Sequence, residues 1–244
     1  MGERMPEKII GILGGMGPEA TIDLFARIVK GTKAKKDQDH LRILVDNNPK
    51  VPDRTRAILG KGASPLPELV RSGKALERAG ADFIVIPCVT AHYFCEDLEK
   101  KLKIPVLHLV KETVVWVQKN LKGVRRLGLL ATTGTIQSRL FQTAFSPTGI
   151  ELIVSIPEIQ KHMVMEAIYG KKGIKAIGPS EGSRRLILKA ARKLIERGAQ
   201  GVVAGCTEIP LVLKEGDLSV PVIDSIAILA RVAIEKARRS RVSP

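Results

Sequence analysis

Cys88 and Cys206 stand 118 positions apart, each closing a similar stretch of chain. The first reads Gly80-Ala81-Asp82-Phe83-Ile84-Val85-Ile86-Pro87-Cys88, the second Gly198-Ala199-Gln200-Gly201-Val202-Val203-Ala204-Gly205-Cys206. A thiolate can take a proton from carbon and a thiol can give one. Two such groups on opposite faces of one carbon invert it, exchanging their protonation states in each turnover. A lone cysteine at the end of an apolar run is more often a small buried hydrophobe. Two at matching points of a duplicated unit point instead to a working pair. Cys95 is the internal contrast: it has no counterpart in the second stretch, so a packing role is expected for it. Cys88, His92 and Cys95 do not have a familiar zinc spacing, and no metal is expected.

The duplication extends beyond the cysteines. Ile10-Gly11-Ile12-Leu13-Gly14 matches Leu127-Gly128-Leu129-Leu130-Ala131, and Ile104-Pro105-Val106-Leu107 matches Val220-Pro221-Val222-Ile223. The three matches occur in order at nearly one offset, as two copies of one unit would give. Strands are expected at Ile9–Leu13, Arg42–Asp46, Phe83–Ile86 and Val106–His108 in the first copy. In the second they are expected at Leu127–Leu130, Glu151–Val154, Val202–Ala204 and Val222–Ile223. Their runs are apolar on both faces, which suits parallel strands covered by helices. Amphipathic segments such as Leu66–Ala79 and Arg184–Arg197 supply those helices. The expected fold is therefore α/β, with two similar Rossmann-like parallel-sheet halves related by a pseudo-twofold axis and a cleft between them. The first half is expected to span residues 1–112 and the second 113–224, with a last helix from Ser225 packing back on the first half.

Both thiols then fall at carboxyl ends of parallel strands, where open α/β sheets place their sites. Thr90 and Thr207 follow them as expected N-caps. A helix N-terminus at each thiol would lower its pKa from about 8.5. His92, in the first turn after Cys88, is expected either to orient the site or to serve packing or capping. His40, His108 and His162 are read as structural.

The 244-residue chain has a hydrophobic share of 44%, enough for a buried core. No apolar stretch is long enough to span a membrane. Met1–Lys8 is charged and lacks an apolar h-region, so no signal peptide is expected. Three cysteines do not make a disulfide framework, and the reducing cytoplasm is the expected compartment. The net charge of +15 raises nucleic-acid binding as a rival, but aromatics are only 3% and scattered, so stacking platforms are missing. The basic Lys236–Arg241 run is expected to end a helix and then fray.

Several motifs together carry a resemblance. They are Gly11-Ile12-Leu13-Gly14-Gly15-Met16-Gly17-Pro18, Asn47-Asn48-Pro49 with Pro52-Asp53-Arg54-Thr55, Pro87-Cys88-Val89-Thr90-Ala91-His92, Ala131-Thr132-Thr133-Gly134-Thr135, and Gly205-Cys206-Thr207-Glu208. From about Lys8 to Lys236 the chain resembles the aspartate/glutamate racemase superfamily, and within it the aspartate racemases most. The resemblance implies a racemase that needs neither pyridoxal phosphate nor metal, with Cys88 and Cys206 as catalytic thiols and a dicarboxylic amino acid as substrate. It puts Met16 and Gly17 on the loop that approaches the substrate, and Asn47 and Arg54 among the residues that bind it. Thr132, Thr133 and Thr135 fall on a carboxylate-holding loop. Thr90, Thr207 and Glu208, beside the thiols, join the binding set. A site lysine is implied near Tyr169; Lys175 fits better than Lys172. A homodimer is expected. One residue departs from the pattern: Val89 stands where the family usually has asparagine. Valine cannot donate a hydrogen bond, so a neighbour must take over that contact or the specificity must differ.

Other readings fit fewer of these features. Gly11, Gly14, Gly15 and Gly17 with Asp46 suggest a dinucleotide site, but they do not form Gly-x-Gly-x-x-Gly and leave the thiol pair unexplained. Maleate isomerases, hydantoin racemases and arylmalonate decarboxylases use a cysteine at one or both equivalent positions. Arg54 disfavours a hydantoin but not maleate.

Overall fold

The computed structural model describes residues 7–239. The stretch 1–6, Ser240 and Arg241 of the basic run, and the rest of the chain to 244 lie outside the described residues. The first part of the chain runs β1 (Ile10–Gly14), α1 (Pro18–Gly31), β2 (Ile43–Asn47), α2 (Arg54–Ile58), α3 (Leu66–Arg78), β3 (Phe83–Val85), α4 (Cys95–Glu99), β4 (Val106–Leu107) and α5 (Leu109–Asn120). Then follow β5 (Arg126–Leu130), α6 (Thr133–Gln137), α7 (Leu140–Phe145), β6 (Glu151–Val154), α8 (Pro157–Ile159), α9 (Glu166–Tyr169), α10 (Ile174–Ile177) and α11 (Glu181–Glu196). The chain closes with β7 (Val202–Ala204), α12 (Ile209–Val212), β8 (Val222–Asp224) and α13 (Ser225–Arg238).

Two four-stranded parallel sheets result, with the same strand order in each: β2-β1-β3-β4 and β6-β5-β7-β8. The expected strands are all present, shifted by a residue or two at their ends. β4 stops at Leu107 because His108 caps α5, its ring accepting from the Lys111 N–H. α11 starts three residues before the expected Arg184 because Ser180 and Ser183 form a reciprocal capping box.

β1, β3 and β7 are buried along their whole length, as strands covered on both faces must be. One apolar cluster joins the sheets, running from Ile10 and Phe83 through Val110 and Val117 to Leu129 and Ile223. α13 lies against α1 and α5. It starts sharply because the Asp224 carboxylate accepts from the Ile226 and Ala227 N–H groups. No described helix is long and apolar enough to cross a membrane.

Candidate active site

The chain turns sharply after β1. Gly15 has a φ of +92°, and a Cβ there would come within 2.3 Å of the Asn48 backbone, so only glycine fits. The Thr21 hydroxyl accepts from the Gly15 N–H at 2.9 Å and donates to the Gly17 carbonyl at 3.2 Å. Pro18 then opens α1, its fixed φ suited to a first helical turn. These contacts hold Met16 and Gly17 at the edge of a cavity of about 220 Å³. Its walls are Gly15–Glu19, Pro49 and Arg54 on one side and Ile174, Lys175 and Glu208 on the other. Cys88 and Cys206 lie just outside these walls, each only 5% exposed.

Arg54 is buried, and its guanidinium is spent mainly on the chain itself. Nη1 donates to the carbonyls of Val51 (3.2 Å) and Pro52 (3.0 Å), and Nη2 to that of Met16 (3.1 Å). The Cys88 side chain lies close enough to interact with the guanidinium charge. Burial opposes its charge, but Cys88, Tyr169 and Asp53 outweigh burial and raise its pKa. Nε is buried with no hydrogen-bond partner. Arg54, which the resemblance puts among the substrate-binding residues, thus also braces the Met16 loop beside Cys88.

Lys175 reaches the same point from the other side. Its Nζ donates to the Met16 carbonyl at 3.3 Å and forms an ion pair with Glu208 Oε1. It lies over the Tyr169 ring, 5.6 Å from the centroid. Lys172 is exposed, so the structure places Lys175 and not Lys172 in the cleft. The other Glu208 oxygen, Oε2, accepts from the Cys206 thiol at 2.9 Å and the Thr207 hydroxyl at 3.2 Å. Burial raises the Glu208 pKa, but Lys175 and the Cys206 hydrogen bond reverse this and hold it below the usual carboxylate range. Cys206 moves the opposite way: burial first, then the Glu208 charge, pushes its thiol well above its usual pKa.

This overturns two expectations. α12 has only four residues, and Thr207 bonds Glu208 instead of capping it. Burial and a carboxylate at hydrogen-bond distance outweigh such a short helix, so Cys206 rests as a thiol and not as an acidified one. Thr90 likewise caps nothing. It opens a 3-10 turn, Thr90–Phe94, and its hydroxyl meets those of Thr135 at 2.9 Å and Thr132 at 3.3 Å. Thr132 itself caps α6. The three hydroxyls are buried where the two halves meet. At that seam a Cβ on Gly134 would come within 2.7 Å of Thr55. Thr133 sits apart from the trio, its N–H on Met165 Sδ. Asn47 stands exposed at the end of β2 and is not part of the cavity wall. Val89 is 2% exposed and packs into the shared apolar cluster.

His92 is buried with both ring nitrogens engaged. Nδ1 faces the Cys88 carbonyl at 2.9 Å, and Nε2 accepts from the Leu109 N–H at 3.2 Å. It therefore both holds the Cys88 turn and caps α5. Burial, then His108, lowers its pKa to about 3, so it stays neutral. Neither nitrogen is free for a metal. Among the described residues, no group of three or more His, Cys, Asp or Glu side chains could hold one. Cys95 is 2% exposed and packs with Leu98 and Ile84, and burial pushes its thiol up to about 12. Cys95→Ala is expected to cost about 1 kcal/mol of stability and leave turnover within about twofold of wild type. A rate measurement and a melting curve on that variant check this; a large loss of turnover would give Cys95 a part in the chemistry.

Three further neighbours are not assigned a site role from sequence. Tyr169 donates to Asp53 Oδ2 at 3.1 Å, tying the α9–α10 segment to α2 across 116 positions of sequence. Gln160 donates to the Ala131 carbonyl at 2.9 Å, behind the threonine loop. Asp53 could have been found as the N-cap of α2; its link to Tyr169 could not.

The chain is similar to known proteins in sequence and in fold. Residues 13–233 match the model of the Asp/Glu/Hydantoin racemase family. The broad specificity amino-acid racemase RacX of Bacillus subtilis is 28% identical, over 93% of this chain and 96% of its own. Picrophilus torridus aspartate racemase superposes with a TM-score of 0.81 at 27% identity, covering 97% of this chain and 96% of that one. An aspartate racemase homologue from Pyrococcus horikoshii gives a TM-score of 0.72 at 26% identity, covering 94% and 99%.

Proposed function

We propose that this chain, which belongs to the Asp/Glu/Hydantoin racemase family, interconverts L- and D-aspartate by a two-thiol proton transfer without cofactor. It is an isomerase that racemises amino acids; the substrate and the mechanism are our reading. The observation that carries it is the placement of Cys88 and Cys206 after equivalent strands of two equal sheets, beside a cavity walled by both halves.

Cys206, held as a thiol beside Glu208, starts as the acid. The base role then falls to Cys88, whose sulfur has the Arg54 guanidinium as neighbour. Cys88 takes the Cα proton from one face, Cys206 delivers its own to the other, and the two sulfurs have exchanged states. Lys175 is the cation available to a substrate carboxylate. A dicarboxylic amino acid is the small-molecule partner, and a cytoplasmic homodimer is the working form.

In D2O containing EDTA and no pyridoxal phosphate, L-aspartate is expected to lose its Cα proton signal as D-aspartate appears. Glutamate is expected to react more slowly and maleate not at all. Conversion of maleate with aspartate untouched would move the protein to the isomerase alternative.

A further inference from the structure

Lys175 is a cation already neutralised within the cleft. Its ammonium and the Glu208 carboxylate form the part of the cavity wall behind Gly17, whose added Cβ would lie 3.6 Å from both. The Glu208 side chain is 3% exposed, and both its oxygens are in use, one by Lys175 and one by the Cys206 and Thr207 donors. The other wall cation, Arg54, is committed to three carbonyls. A ligand carboxylate entering here meets a site that holds a carboxylate of the protein's own.

We propose that Glu208 keeps the place of a substrate carboxylate on Lys175. Binding is then an exchange, in which the substrate carboxylate takes Lys175 while Glu208 leaves it and takes up one proton from solvent. The inference rests on the substrate class proposed above and adds a specificity-determining, positioning role for Glu208. The reason for the proton is charge. Two carboxylates a few ångströms apart in a buried site do not both stay ionised on one cation. Once its cation is shared away, burial favours the neutral form of Glu208. The step balances as one carboxylate plus one proton giving one carboxylic acid. The titratable and charged groups around the pair are Cys206 on the same turn, Lys175 and Tyr169 from the α9–α10 segment, Arg54, Cys88 and Asp53 from the first half, and Glu19, which lines the same cavity from α1.

The exchange has a consequence for the chemistry. In the empty site burial and then the Glu208 charge keep Cys206 a thiol. Neutral Glu208 removes the second of these causes, so a Cys206 thiolate costs less while a carboxylate substrate is seated than in the empty site. An amine without a suitably placed carboxylate leaves Glu208 on Lys175 and Cys206 protonated.

The test uses succinate, a dicarboxylate with no amino group to racemise. Calorimetric titration of wild-type protein in two buffers of different ionisation enthalpy is expected to show uptake of about one proton per succinate. In Glu208→Gln, with folding checked by thermal melting, uptake is expected to vanish. A neutral amide competes poorly for Lys175, so the aspartate KM is expected to fall about tenfold while kcat changes less. A merely structural residue would instead raise KM or lower stability. Succinate binding without proton uptake, failure of succinate to bind, or an unchanged or higher KM in a folded Glu208→Gln would each overturn the exchange. The wild-type titration needs no variant and no turnover, so it fails or succeeds separately from the racemase reading.

Discussion

Cys88→Ala and Cys206→Ala are each expected to lose interconversion of the aspartate enantiomers by at least about 10³-fold, within the range that a positioned acid or base supplies. Racemisation needs both faces of Cα, and each variant keeps one sulfur. The remaining sulfur, as thiolate, can still take a proton and return one to the same face. Each variant is therefore expected to exchange Cα hydrogen of one enantiomer with solvent while retaining configuration, and the two variants to exchange opposite enantiomers. The structure adds an asymmetry. Cys206 is held as a thiol by burial and by Glu208, so Cys88→Ala, which leaves Cys206 as its sole base, is expected to exchange more slowly. NMR of deuterium incorporation and optical rotation, taken from both enantiomers, read all of this. Full racemisation in either variant would remove the two-thiol mechanism. Loss in Cys206→Ala alone would favour a one-cysteine reaction such as decarboxylation.

Arg54→Lys is the second large effect. An ammonium has no planar fork and cannot reach the carbonyls of Val51, Pro52 and Met16 together. Met16 retains the Lys175 donor, but the other two carbonyls lose theirs. An unpaired, fully buried acceptor costs about 1–3 kcal/mol; the Val51 contact is buried and the Pro52 contact only partly so, and a total loss of about 2–4 kcal/mol is expected. For a chain of this size that lowers Tm by about 5–15 °C. The Met16 loop and the Cys88 neighbour shift with it, and kcat/KM is expected to fall about 10²-fold, with kcat affected as well as KM. A residue that only read the substrate carboxylate would raise KM and leave Tm alone. Wild-type melting together with a KM effect would therefore mean that the backbone contacts of Arg54 contribute little.

The fold was readable because its causes are local and repeated. Apolar runs such as Ile10–Leu13 and Val202–Ala204 are buried on both faces, which a parallel strand under helices requires, and the duplicated offset showed two such sheets. The cysteines could be assigned to strand ends for the same reason. The motif around Tyr169 brought Lys175 into consideration, and Cys95 could be set aside because the second copy lacks it.

The state of the site depends instead on contacts between residues far apart in the chain. Lys175 meets Glu208 across 33 positions, Arg54 meets Met16 across 38, Thr90 meets Thr135 across 45, and Lys175 meets Met16 across 159. No periodicity or spacing encodes these pairs. Helix-terminus reasoning gave Cys206 a lowered pKa because it counted only the local dipole. Burial of the sulfur, and then a carboxylate 2.9 Å from it, reverse the sign. Sequence by itself determined the two sheets and the placement of a thiol at the end of one strand in each. Only the tertiary structure decided which charges surround those thiols, because electrostatic energy in a buried site depends on distance and desolvation, and both are set by packing between the halves.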